Sequence, residues 1–283
     1  MTTTRNPRPR RRRRPGPLLL AALAAAGTAV AAAPAPASAA PALAIPGPLL
    51  FDGGWETGDT SQWSGCQTRH RRGITVVGSP RRHGKRAARF EVTDADYDGY
   101  GDRSECQTRS REREGQVRWY SWSTFIPRSL PAPNARAWAV ISQWHCTCDG
   151  SPPVGLFLQA DRLELSIHRH DRVGDRQLEL VPWGRPLSAV KGRWIDFRLR
   201  IRWSANDRRG FVDLWVNGVR QRMNWPRGDA RASRYGGVGA TRLRVRTMVP
   251  GSSGVYFKQG FYRSGRITGR AVVYHDGLRV TAG

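Results

Sequence analysis

Ile195-Asp196-Phe197-Arg198-Leu199-Arg200-Ile201-Arg202-Trp203 alternates apolar and charged side chains without a break. On an extended backbone successive side chains point to opposite faces, so this run buries one face and wets the other. Leu163, Leu165 and Ile167 alternate with Glu164, Ser166 and His168 in the same way. Val212, Leu214 and Val216 lead into Asn217-Gly218, a two-residue hairpin signal. Further strands are expected at 117–126, 137–145, 243–249, 255–263 and 271–280. No segment of helical length carries an apolar stripe at helical spacing. Many short strands joined by Gly, Pro and Asp turns predict an all-β sandwich or barrel.

The first residues read differently. Met1 to Pro15 holds seven arginines and no acid, Leu18 to Ala33 is apolar and uncharged, and Ala37-Ser38-Ala39 offers small residues for cleavage. That order is the pattern of a secretory signal, assigned to residues 1–39. A membrane anchor is the competing reading, but the apolar stretch is short and broken by Gly and Pro. Paired arginines leave the twin-arginine route open beside the general one. A short linker, 40–48, then precedes a single domain, 49–283. An extracellular location and a monomer without membrane attachment are expected.

Formal charge is +25 for 283 residues, and lysine accounts for only Lys85, Lys191 and Lys258. Losing the signal arginines leaves a large arginine surplus, which favours a polyanionic partner. Export disfavours nucleic acid among these. Four cysteines in an exported chain suggest two disulfides with three pairings open. Cys66 with Cys106 would tie two early strands, whereas a bridge from Cys146 to Cys148 would span only Thr147. Ligand-like spacing for zinc is lacking. CQTR occurs at Cys66 and again at Cys106, too short a repeat to carry an argument.

Three motifs hold polar, titratable groups on single strand faces. Arg103 and Glu105 share a face in GDRSEC; Gln143 and His145 flank Trp144; Tyr256, Lys258, Gly260 and Tyr262 share a face in VYFKQGFYR. Taken in order, RSE, Q-x-H and YFK-x-G-x-Y resemble the motif set of the jelly-roll alginate lyases. Trp215-Val216-Asn217-Gly218 and the late VVYHDGL (272–278) look similar to heparin lyase I and the glucuronan lyases. Alginate lyases usually carry Leu and Asn where this chain has Cys106 and Arg263.

The resemblance implies a concanavalin A-like β-jelly-roll that cleaves an acidic polysaccharide by β-elimination. The C5 proton of a uronate is poorly acidic beside its own carboxylate, so that charge must first be neutralised. By resemblance Arg103 and Gln143 would bind it, with Arg able to grip a carboxylate bidentately. His145 would abstract the proton or assist neutralisation, and Tyr262 would donate to O4 or serve as the base. Which of the two is the base depends on the epimer cleaved. Lys258, Tyr256 and Glu105 would hold substrate. No cofactor is expected for catalysis.

Asp94, Asp96, Asp98, Gly99 and Glu105 fit the spacing of an EF-hand loop. The flanking segments read as strands, not helices, so an acidic surface loop is the better reading. Resemblance to jelly-roll carbohydrate proteins suggests a structural Ca²⁺ held by Glu56 and Asp276 instead. Competing functions are a lectin-like binder on the same fold, a glycoside hydrolase and a polyanion binder driven by arginine charge. Hydrolysis wants two carboxylates flanking the bond, and no E-x-D-x-E strand is present.

Overall fold

A computed structural model describes residues 45–134, 136–174 and 177–283. The expected signal, 1–39, lies outside these residues, as does most of the expected linker. Strands run in chain order as β1 (Leu49–Gly53), β2 (Gly65–Thr68), β3 (Ile74–Val77), β4 (Ala87–Val92), β5 (Asp102–Gln107) and β6 (Val117–Phe125). They continue as β7 (Trp138–Cys146), β8 (Val154–Gln159), β9 (Arg162–His170), β10 (Gln177–Pro186) and β11 (Trp194–Arg202). The last are β12 (Phe211–Val216), β13 (Val219–Arg220), β14 (Leu243–Arg244), β15 (Val255–Arg263) and β16 (Ala271–Ala282). Helix among the described residues is confined to 3₁₀ turns at Asp94–Asp96, Leu187–Ala189 and Ala232–Tyr235.

The strands form a single-domain jelly-roll sandwich of two antiparallel sheets. One is ordered β13-β12-β11-β6-β16-β4-β3, with β1 also on β16 and β14 on β12. The other is ordered β10-β9-β8-β7-β15-β5-β2. β1 and β4 occupy successive stretches of one edge of β16, at 278–281 and 271–275. The first and last strands of the domain therefore pair directly.

Alternation decides which side chains meet between the sheets. Tyr120, Trp122 and Phe197 from the first sheet face Trp144 and Phe257 from the second. Trp144 lies 5.0 Å from Phe257 and edge-on to Tyr120 at 5.0 Å, and Trp122 stacks on Phe197 at 5.3 Å. Such aromatic pairs contribute roughly 0.5–1.5 kcal/mol each beyond the area they bury. Of the tryptophans, Trp55, Trp63, Trp122, Trp144, Trp183, Trp203 and Trp225 belong to this core. Trp119, Trp138, Trp194 and Trp215 are only partly covered.

Asn217 and Gly218 turn the β12–β13 hairpin with φ of 49° and 79°. Positive φ at both central positions is the turn that Asn-Gly favours, because its twist matches the strands. The strand expected at 243–249 stops after Arg244. Beyond it the backbone bonds to loops, Val245 N–H to Gly210 and Thr247 N–H to Ser204, so its apolar residues fill the core without a ladder. Cys66 pairs with Cys106 across β2 and β5, and Cys146 with Cys148, the short-span pairing that spacing disfavoured.

The EF-hand spacing is coincidental. β4 and β5 flank it, and its carboxylates are committed elsewhere. Asp96 accepts from the Thr93 amide and hydroxyl, Asp94 from the Gly269 amide, and Asp98 from the Tyr100 and Gly101 amides.

Candidate active site

β15 runs between β5 and β7, and its register brings the three motifs onto one outer face. Tyr256 lies opposite His145, Lys258 opposite Gln143, Gly260 opposite Glu105 and Tyr262 opposite Arg103. The face away from the core is thus a row of facing pairs. β2 adds Gln67 opposite Glu105.

The floor of this face is a buried polar network. Glu105 is fully covered, with Gln143 Nε2 donating to its Oε1 at 2.5 Å and Lys258 Nζ lying 2.7 Å from its Oε2. Lys258 also donates to Gln67 Oε1 at 2.8 Å. Arg103 approaches Glu105 at 3.6 Å and donates to Gln67 at 3.3 Å, while its Nε faces Asp98 at 2.8 Å. A buried carboxylate is tolerable only with its lone pairs met by charged and amide donors. Glu105 therefore serves as the anchor that fixes Gln143 and Lys258, rather than as a free acid or base. One amide hydrogen of Gln143, expected from resemblance to hold a substrate carboxylate, is committed to Glu105.

His145 and Tyr262 are half-buried on this face. His145 Nδ1 lies 2.6 Å from the Cys146 carbonyl, which can only accept. The proton of the neutral ring is therefore on Nδ1, and Nε2 carries the lone pair. Burial pushes the His145 pKa down; Lys258 and Arg103 act the same way, against the Cys146 carbonyl and Glu105. Tyr262 is held between the Arg103 guanidinium, 3.8 Å above its ring, and Trp138, edge-on at 4.8 Å. Burial pushes its phenol up to about 12 despite Arg103, with Asp98 adding to the rise. The pair is thus a neutral imidazole with an open nitrogen and a phenol that keeps its proton.

Beneath these rows the β15–β7 register slips between Gln259 and Tyr262. Gly260, with φ of 154°, sits where a Cβ would lie 2.2 Å from the Ser104 carbonyl oxygen and 2.6 Å from Glu105 Cα. Its own carbonyl accepts from Nε2 of the buried His275 at 2.9 Å. Burial lowers the His275 pKa to about 4, so the ring is neutral and its Nδ1 must accept. Thr124 Oγ1 donates to it at 3.0 Å while taking the Trp122 indole N–H at 3.1 Å. The chain of donors runs in one direction across the core and ends on the backbone under the site. Gly260→Ala should lower stability by about 1–3 kcal/mol, read as a shift of the urea midpoint at constant slope. It should also remove activity, because Lys258 and Tyr262 lie on either side of the displaced backbone.

Gln67, Asp98, Trp138 and His275 support the site without having been singled out for it. Gln67 lies next to the Cys66–Cys106 disulfide, whose strand pairing sets it beside Glu105. Asp98 was absorbed by the EF-hand spacing. A depression of about 370 Å³ lined by Arg109, Arg111 and Tyr256 opens beside the His145 end. A larger one of about 520 Å³, lined by Tyr97, Tyr100 and Arg266, includes neither His145 nor Tyr262. The two expected Ca²⁺ ligands lie elsewhere but near each other. Asp276 Oδ2 accepts from the Arg82 and His83 amides at 2.6 and 2.8 Å, and Glu56 takes the Lys85 and Arg86 amides.

The jelly-roll sandwich thus brings guanidinium, ammonium, imidazole and phenol together on three adjacent strands. Comparison with known proteins narrows this. Residues 55–279 match the polysaccharide lyase family, and the chain belongs to that family. It is an enzyme of the polysaccharide lyase class. Among solved structures, an endo-β-1,4-glucuronan lyase from the fungus Trichoderma reesei superposes with a TM-score of 0.59 at 17% identity, covering 80% of this chain and 93% of that one. The catalytic domain of a glycoside hydrolase family 131 protein from Coprinopsis cinerea superposes with a TM-score of 0.53 at 13% identity, covering 84% and 95%. Alginate lyase PA1167 from Pseudomonas aeruginosa gives 0.45 at 17% identity, covering 70% and 83%. At these identities the first two likenesses establish the fold alone. No curated protein matches the sequence.

Proposed function

We propose that this chain is a secreted lyase that cleaves a uronic-acid-containing polysaccharide by β-elimination, leaving a 4,5-unsaturated uronate end. The observation that carries the reading is the β15 register, which sets Arg103, Gln143, His145, Lys258 and Tyr262 on one face over a single buried anchor. Arg103, with Lys258 behind it, neutralises the substrate carboxylate and lets negative charge build on C5. His145 Nε2 takes the C5 proton. The electrons of that bond form the C4–C5 double bond, the C4–O4 bond breaks, and Tyr262 gives its proton to the departing O4. An open imidazole nitrogen and a phenol held up to about 12 favour this division of roles. Tyr256 and the arginines of the neighbouring depression hold flanking sugars.

The test is a panel of polyglucuronate, heparin-like glycan and alginate followed by the ultraviolet absorbance of an unsaturated uronate. Growth of that absorbance on one polymer supports the reading; reducing ends without it mean hydrolysis, and binding without either means a lectin.

Glu56 and Asp276 fit a structural cation on one count. Asp276 Oδ1 is buried without a hydrogen-bond partner, and burial, with the Glu56 charge adding, raises the Asp276 pKa to about 7. A hard divalent ion would relieve both. Among the described residues no cluster of three ligating side chains occurs, so backbone carbonyls and water would have to complete the shell. Such an ion would tie the 82–86 loop to β16. Chelator should then lower the melting temperature of the wild type and leave that of Asp276→Asn unchanged. Equal melts of the wild type with and without chelator would remove the ion.

A further inference from the structure

Beyond Gln107 the chain leaves β5 but stays beside the start of β15. The Thr108 amide donates to the Phe257 carbonyl at 2.9 Å, and Glu112 and Val255 exchange amide bonds at 2.6 and 2.9 Å. Between these anchors β15 advances two residues and its neighbour four, so Arg109, Ser110 and Arg111 buckle out of the ladder. Thr108 and Glu112 are buried at the two feet of the bulge, whereas Arg109 and Arg111 are exposed. Glu112, the acid next to Arg111 in sequence, turns away to Arg118 at 2.7 Å. Among the described residues no carboxylate or carbonyl accepts from the Arg109 or Arg111 guanidinium.

Both arginines line the depression of about 370 Å³ at the His145 end of the site, together with Tyr256, Gln107 and Thr147. None of its lining side chains is acidic. Tyr256 joins it to the catalytic face, lying opposite His145 with the two rings 6.1 Å apart. Arg111 is near enough to oppose the rise that burial and Glu105 impose on the Tyr256 phenol. The depression at the other end of β15 differs, with Asp94 and Asp102 in its walls. Two guanidinium groups with unmet in-plane N–H donors suit a carboxylate, which accepts such donors in pairs.

Tyr262 at O4 sets the direction of the polymer. O4 carries the sugar on the non-reducing side, so the ring of the cleaved uronate extends from Tyr262 toward His145. The next sugar, joined through C1, then falls over the depression. We infer that Arg109 and Arg111 bind the carboxylate of this reducing-side neighbour. The selected substrate, on the lyase reading that this site depends on, is a run of contiguous uronates rather than uronates alternating with uncharged sugars. Arg103 neutralises one carboxylate for the chemistry, and the bulge reads the next. That second contact is made equally before and during proton loss, so it sorts substrates through binding.

Polyglucuronate, alginate and a heparin-like glycan are the probes, the first two also in partly carboxyl-reduced form, where uronates and uncharged sugars occur at random. Tandem mass spectrometry of the products identifies the sugar joined to the unsaturated uronate. In wild type the ratio of uronate to uncharged sugar there should exceed that of the polymer about tenfold or more. R109Q/R111Q should bring the ratio to within about twofold of the polymer's and raise KM on the unreduced chain. R208Q/R209Q, exposed between β11 and β12, should keep the wild-type excess. No excess in wild type, or one that survives in R109Q/R111Q, overturns the site. Equal loss in R208Q/R209Q also overturns it, by making net charge the cause, and an excess at the new reducing end instead reverses the polymer's direction and overturns it too. If the double variant does not fold, R111Q alone is held to the same outcomes. Cleavage confined to the heparin-like glycan overturns the site and leaves the lyase reading standing. Absence of unsaturated product from all three unreduced polymers overturns that reading itself.

Discussion

Changing His145 to Ala, or Tyr262 to Phe, is expected to lower kcat/KM on the cleaved polyuronate by about 10²–10⁴-fold, the range of a positioned acid or base. Each variant should keep the wild-type melting transition, because neither side chain belongs to the buried Glu105 network. The pH profile separates the two roles. His145 works as a neutral base, and burial depresses its pKa below the ordinary 6.5. Activity should therefore be flat above about pH 6.5 and fall only on further acidification, as the imidazole takes its proton. Tyr262 works as an acid with its phenol held up to about 12, so it contributes no alkaline loss near neutrality. An alkaline limb rising toward pH 10 would instead make the phenolate the working base. Wild-type-like rates in both variants would remove the assignment altogether.

The largest stability effect is expected at Lys258. Lys258→Met leaves the Glu105 carboxylate fully buried and stripped of the ammonium 2.7 Å away. Removing one partner of a buried pair costs about 3–5 kcal/mol, because the surviving charge stays desolvated. Glu105→Gln should cost a comparable amount, since it leaves the buried Lys258 ammonium with only the neutral Gln67 as its partner. The double variant K258M/E105Q should recover part of the K258M loss, and the difference read from denaturant midpoints is the coupling of the pair. Additive losses would mean that Arg103, 3.6 Å from Glu105, already supplies the neutralising charge.

Strand positions were legible because burial on one face leaves period-two alternation, as in β11 and β15. β15 is bounded by the residues its pattern gives, Val255 and Arg263. The failure at 243–249 shows the limit: apolar residues in an irregular core segment give the same pattern as a ladder. Which residues share a face was readable from spacing, so the pairs Arg103/Glu105 and Gln143/His145 were visible. Their adjacency was not, since register between β5, β15 and β7 depends on long-range pairing. The same is true of the buried Glu105–Lys258 pair and of Gln67, which arrives from a strand nearly 200 residues away from β15 in sequence. His275 stood out only inside the VVYHDGL likeness; its bond to Gly260 crosses the sandwich.

By β-elimination, cleavage breaks the C4–O4 bond with loss of a proton and adds no water. Mass spectrometry of the fragments from one defined oligouronate tests it directly. Two fragments are expected whose masses add up to that of the starting chain, one carrying the unsaturated end. Fragments whose summed mass exceeds the substrate by one water would contradict it, and the same fold would then be doing hydrolysis.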